Sequence, residues 1–258
     1  MAVFINLTEI NDPSGKEEEF LNGNHRYVVS DKVFQELDSV PYNAYWLGET
    51  LMESFREGTI EKYANCCTGM QTGANGKYIR YWFEPNFEDT TICKSSGKFE
   101  KYNCGGENRR WYGNHFNVIY WENNGQDVRN EKSSVIRNEK FFRKAGISWK
   151  RISSGSYYLR FLPEGFIFDQ AGDSMFPSDP QNINYLLGLL NSKVIITILK
   201  FIAPGTNLTA GNMNRIPVIF DANKQEEIEK IVDENVTLAK GEWDEFENSW
   251  DFRRHPLI

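Results

Sequence analysis

The stretch Lys101 to Asn123, KYNCGGENRRWYGNHFNVIYWEN, constrains this chain more than any other. It sets a glycine pair (Gly105, Gly106) before adjacent arginines (Arg109, Arg110). An aromatic pair closed by a turn follows (Trp111, Tyr112, Gly113, Asn114), then a strand-like run from Phe116 to Trp121. Glycines let a backbone come close to another surface, guanidinium forks match phosphate or guanine edges, and tryptophan or tyrosine rings offer stacking faces. A polar, ring-lined contact surface satisfies that combination. So does a β-hairpin with a glycine turn and an aromatic core face.

With 258 residues, 40% hydrophobic and 14% aromatic, the chain can bury a substantial core as one large domain or two small ones. Its net charge of -7 argues against a uniformly basic nucleic-acid binder. The charge is unevenly spread, however. Lys94 to Arg160 holds 14 Lys and Arg against 6 Asp and Glu, a balance of +8, which leaves -15 for the remainder of the net -7. A basic centre between acidic flanks suits a phosphate-facing patch, although a solvated surface would carry the same residues. Cys66, Cys67, Cys93 and Cys104 include no CxxC pair, and His25, His115 and His255 are scattered, so reduced thiols are expected rather than a zinc site. No apolar run reaches about 18 residues, and Met1 to Ile10 lacks the basic start of a signal peptide, so a cytoplasmic protein with no membrane partner is expected.

Along the chain, Val3, Ile5 and Leu7 suggest a half-buried strand, Lys16 to Leu21 a short helix, and Arg26 to Ser30 a strand. Asp31 to Leu37 reads as a helical turn, and Tyr45 to Arg56 carries an apolar stripe at helical spacing. Phe87 to Glu100 is a polar loop, and Asn130 to Lys144 a helix or exposed loop. Tyr157 to Phe161 and Phe166 to Phe168 flank the turn Pro163 to Gly165, which is hairpin chemistry. Asn182 to Ala203 is an apolar helix broken near Gly188 or Asn191, and Asp221 to Lys240 an acidic amphipathic helix with Ile228, Ile231, Val232 and Leu238 on one face.

Five segments resemble the target-recognition region of the BREX phage-defence adenine methyltransferases, the PglX family, and of related restriction-modification enzymes. They are the Lys101 stretch; CCTGMQTGANGKYIRYWFE, with Thr72, Gly73, Asn75, Tyr78, Arg80 and Trp82 matching a TG-x-N turn and its aromatic strand; GISWKRISSGSYYLRFLPEGFIFD; NYLLGLLNSK with GTNLTAGNMNRIPV; and WDEFENSWDFRRHPLI. The resemblance implies an α+β fold, a mixed and mostly antiparallel β-sheet recognition domain with flanking helices. It also implies a return strand around Asn207 and Arg215. Residues 1–60 would form a connecting segment with helices, 61–220 the DNA target-recognition domain, and 221–258 a C-terminal helical segment. A FINLTxIN element lies well inside such proteins, so its place beside Met1 suggests an excised piece or a split chain.

The expected function is sequence-specific recognition of double-stranded DNA for an N6-adenine methyltransferase. The expected DNA-facing residues are Thr72, Asn75, Arg80, Arg109, Arg110, Trp111, Tyr112, Asn114, Lys150, Arg151, Ser153, Ser154, Lys193 and Asn207. The sequence holds no two consecutive prolines and no GxG, so neither an Asn-Pro-Pro-aromatic loop nor a glycine-rich S-adenosylmethionine turn is present. No cofactor is expected in this chain, S-adenosylmethionine belonging to the parent enzyme, and no catalytic or metal-binding residue is expected. No lysine follows an acidic residue by two positions, and GxSxG and P-loop patterns are absent. Asp169 and Asp173 fit a turn or cap better than a metal pair. The competing expectation is an interaction module that docks its acidic flanks and the Trp243, Phe246 and Trp250 cluster onto a methyltransferase catalytic domain or another defence subunit.

Overall fold

The computed structural model describes residues 2–30 and 49–258, the side chains of 49–52 excepted. The expected turn Asp31 to Leu37 and the start of the Tyr45 to Arg56 helix lie outside the described residues; Glu49–Glu57 is helical. Near the N-terminus β1 (Ala2–Ile5) pairs antiparallel with β2 (Arg26–Val29) around the helix Pro13–Leu21. Asp12 caps that helix by accepting from the Gly15 N–H at 2.6 Å, and Pro13 occupies its first turn, where no N–H donor is needed.

Two four-stranded sheets form the body. The first runs β3 (Ala64–Cys67), β10 (Ser174–Pro177), β7 (Gly146–Trp149), β8 (Leu159–Leu162), antiparallel throughout. The second runs β4 (Ile79–Tyr81), β6 (Asn117–Tyr120), β5 (Phe99–Asn103), β9 (Phe166–Phe168), with only the β5–β9 pair parallel. The fold is therefore mixed α+β, with mostly antiparallel sheets flanked by helices. Side chains alternate across a strand, and β10 uses both faces. Met175 enters a core shared with the helices Ile183–Leu190 and Lys193–Ile202, while Phe176 enters an aromatic core built on the second sheet. The layers are thus helices, first sheet, second sheet.

The two apolar helices bend by 80° between Leu190 and Lys193, and most of their residues line the first core. Among the described residues no single helix is long and apolar enough to cross a membrane. Two residues make the bend. Asn191 accepts from the Leu159 N–H at 3.0 Å and donates to its carbonyl at 2.9 Å, so its amide imitates a further peptide on the β8 edge. Ser192 then caps the second helix through the Ile195 N–H.

The expected Pro163 hairpin does not form. β8 pairs with β7 and β9 with β5, because the Arg143 backbone occupies the place beside β9. Its N–H donates to Phe166 at 2.8 Å, and its carbonyl accepts from Gly165 at 2.9 Å. The Asn130 to Lys144 stretch is a loop with one 3-10 turn, Glu139–Phe141, and Phe141 and Phe142 are buried in the aromatic core, Phe141 stacked on Phe176 with centroids 4.8 Å apart. Instead of a return strand, the Gly205 to Val218 segment makes isolated bridges at Asn207 and Pro217 around the short helix Ala210–Asn214, whose Thr209 and Asn212 form a capping box.

Packing runs across both expected segment boundaries. Ile60 donates its N–H to Ile216 at 2.9 Å, and the Val218 N–H donates to Gly58 at 2.9 Å. In the helix Gln225–Asp244, Val232 seats on Gly188, where an added Cβ would lie 2.7 Å from Val232 Cγ2.

Candidate nucleic-acid interface

The glycine pair of the Lys101 stretch lets the chain approach itself. Gly105 has φ +84, and a Cβ there would fall 2.4 Å from the Ala171 carbonyl oxygen. Asn114 is buried and donates its amide to the Gly105 and Glu107 carbonyls, which closes the loop. Trp111 holds φ 74, a conformation a bulky residue rarely adopts. It is fixed by donating to the Leu159 carbonyl at 3.1 Å and accepting from the Phe161 N–H at 2.8 Å. Tyr112 is buried, and burial pushes its hydroxyl up to about 12. Arg109 donates to Glu242 and lies 5.2 Å from the Trp243 ring centroid; Arg110 stacks on Tyr158 at 4.3 Å. Within the expected contact set, then, Tyr112 and Asn114 act from beneath the surface and Arg109 binds the C-terminal helix.

A second loop faces outward beside them. Lys150 to Ser156 follows β7 and is pinned at both flanks. The Arg151 N–H donates to Ala171 at 3.1 Å, the Ser153 N–H to Thr206 at 2.9 Å, and the Leu208 N–H to Arg151 at 2.8 Å. Ile152 bridges Asn207, so Lys150, Arg151, Ser153, Ser154 and Asn207 form one group, joined by Arg110 where Asn108 bonds Ser156 and Tyr158. Two hollows flank this loop. One of about 400 Å³ is lined by Cys104, Gly106, Lys150, Arg151, Ile152, Gln170 and Ala171. Another of about 470 Å³ lies between the serines and Lys200.

The remaining expected residues lie elsewhere. Thr72 is buried and donates to Asn75 at 2.5 Å, setting the turn before β4, while Arg80 donates to the Gly76 and Ile79 carbonyls. Lys193 is exposed in the first turn of its helix. Nor does the positive run make one patch. Arg129 pairs with Glu139 and Arg143 with Glu100, and Arg160 is wholly buried with donors on Asn103 and Gly105.

Sequence reasoning missed a polar row at the edge of the smaller hollow. Arg137 donates to Gln71 Oε1 at 3.1 Å, and Gln71 Nε2 donates to Gln170 Oε1 at 2.5 Å. No local pattern announces it, since its members are 66 and 99 residues apart. Beneath the loop, Asp173 is buried 3.9 Å from the Arg151 guanidinium. Burial raises its carboxyl to about 6 against the pull of Arg151, and burial likewise raises Asp169 to about 6. Burial also lowers the Arg160 guanidinium to about 10 and holds His115 well below the usual imidazole range, hence neutral. Among the described residues no group of three or more His, Cys, Asp or Glu is placed to hold a metal ion.

No protein-family model matches the chain. It is similar to the adenine-specific methyltransferase PglX of Lacticaseibacillus casei (strain Zhang), 28% identical over a 279-residue alignment that covers 100% of this chain and 23% of that protein. It is also similar to the adenine-specific methyltransferase BrxX of Escherichia coli O9:H4 (strain HS), 29% identical over 264 residues, 99% of this chain and 21% of that protein. The chain is homologous to these methyltransferases over a small fraction of their length.

Proposed function

We propose that this chain is a DNA target-recognition module of an N6-adenine methyltransferase of the BREX or restriction-modification type, and that the Lys150 to Ser156 loop is its main contact with the duplex. One observation carries the proposal: Lys150, Arg151, Ser153, Ser154 and Asn207, more than fifty positions apart at their extremes, are held as one outward group by backbone bonds. Lys150 and Arg151 hold backbone phosphates, and the two hydroxyls and the Asn207 amide add hydrogen bonds to them. Arg110, with its guanidinium on Tyr158, extends the grip. Asn75, Arg80 and Lys193 take outlying roles, Thr72 sets the turn that carries Asn75, and Trp111, Tyr112 and Asn114 shape the loop from below. S-adenosylmethionine and the reacting groups belong to a catalytic domain whose motifs this sequence lacks, and the adenine is presented to that domain. Fluorescence anisotropy with a labelled duplex at low salt tests this. Absence of binding at micromolar protein would end it.

A second role is favoured by the helix Gln225–Asp244, whose Ile231 and Leu238 are 50% and 73% exposed on an acidic surface. We propose that this face docks on the methyltransferase catalytic domain. Co-purification of that domain should fail with Ile231→Asp and Leu238→Asp together.

A further inference from the structure

The row Arg137, Gln71, Gln170 fixes which way an amide points. An arginine can only donate hydrogen bonds, so the side-chain oxygen of Gln71 must face Arg137. Gln71 therefore turns its NH₂ group to Gln170, whose oxygen accepts it at 2.5 Å. What remains on Gln170 is its own NH₂, two donors with no acceptor among the described residues, at the rim of the hollow that Lys150 and Arg151 also line. The backbone holds the row still. Gln71 exchanges N–H and carbonyl bonds with Val135, both at 2.9 Å, and the Gln170 N–H donates to Met70 at 3.2 Å.

We infer that Gln170 is a base-reading residue fixed as a donor, and that it selects guanine at one position of the bound duplex. In the major groove guanine offers two acceptors, N7 and O6, whereas cytosine offers only its amino donor. An unrestrained glutamine turns both oxygen and nitrogen to adenine. Here Gln71 takes one lone pair of the oxygen and holds the amide with its NH₂ as the unpartnered edge, which disfavours the two-bond adenine pairing and favours the two acceptors of guanine. This inference rests on the loop being a DNA contact, since it assigns base selection to a residue beside it.

The test uses the full chain, a library of random duplexes, and sequencing of the bound fraction. The wild type should show one position at which guanine exceeds cytosine by about ten-fold, the factor that a single good polar base contact provides. Gln170→Glu presents acceptors in place of donors and should move that position toward cytosine. Gln170→Leu keeps the volume and should abolish the preference. Arg137→Met, which frees the row to turn over, should reduce it while the other selected positions stand. Failure of the wild type to bind any duplex refutes the proposed function and this inference with it. Binding with a base preference that all three variants retain overturns only the role of Gln170, as does binding without any preference.

Discussion

Arg109 donates to Glu242, 133 residues further along the chain, and covers the Trp243 ring 5.2 Å away. The arginine expected to meet DNA thereby fastens the C-terminal helix to the glycine loop. Gly113 makes room for it: a Cβ there would lie 2.8 Å from Arg109 Nε and 2.9 Å from Trp243. The guanidinium is half-buried and Glu242 largely exposed, so the ion pair is screened and the ring contact contributes as much as the charge. Arg109→Ala should destabilise the fold by about 1–2 kcal/mol in urea titration. Its effect on duplex affinity should be smaller than that of Lys150→Ala; the reverse order would return Arg109 to the DNA surface.

The glycines separate into those that the fold requires and those that it tolerates. Gly105→Ala adds a Cβ 2.4 Å from a backbone oxygen at a φ of +84, and a backbone atom cannot swing aside as a side-chain tip can. We expect a loss of roughly 2–4 kcal/mol, from clash and left-handed strain together. Gly155, in the outward loop, meets nothing within 4 Å. Gly155→Ala should stay within about 0.5 kcal/mol of wild type. Thermal melting of the two variants side by side checks the contrast, and equal midpoints would contradict it.

If Lys150 holds a phosphate, its removal should change the salt dependence of binding in a countable way. Each phosphate contact releases condensed counterions, so log K falls with log salt at about 0.9 per contact. Lys150→Ala should flatten that slope by about 0.9 while leaving base preference unchanged. Arg109→Ala should leave the slope as it is. Anisotropy titrations from 50 to 200 mM salt give both numbers, and an unaltered slope in Lys150→Ala removes that residue from the interface.

Much of the architecture was legible because local chemistry sets it. Asn191 and Ser192 break the apolar helix at the second of the two expected points, Gly188 or Asn191, and Phe166 to Phe168 runs apolar as a strand buried on both faces does. The hairpin at Pro163 was misread because turn chemistry states that the chain reverses, not which neighbour takes the freed edge; Arg143, some twenty residues upstream, took it. At the candidate site, charge and hydroxyls pointed to Lys150, Arg151, Ser153 and Ser154. Nothing in the composition distinguishes an arginine that faces outward from Arg109, paired across the fold, or Arg160, wholly buried. The Gln71 and Gln170 pair was invisible for a related reason: glutamine carries no positional signature, and only the tertiary structure brings the two amides together.

Asp173, buried beneath the loop, should make the stability of the fold depend on pH. Its carboxyl moves from 3.8 to about 6 because burial disfavours the charged form more than Arg151, 3.9 Å away, favours it. The folded state therefore keeps a proton that the unfolded chain releases between about pH 4 and 6. Stability from this group is fully present below about pH 4 and is lost as pH rises through about 6, by up to about 3 kcal/mol. Asp169 shifts in the same direction over the same window, so the wild type should lose stability twice over as the pH is raised. Asp173→Asn removes one of the two contributions. Urea titrations at pH 4, 5, 6 and 7 should show the variant gaining on the wild type with every step, the gap closing by pH 4, where the aspartate is already neutral. Parallel curves for the two proteins would mean that the Arg151 guanidinium keeps Asp173 ionised throughout, and the stability of the fold would then not depend on pH through this group.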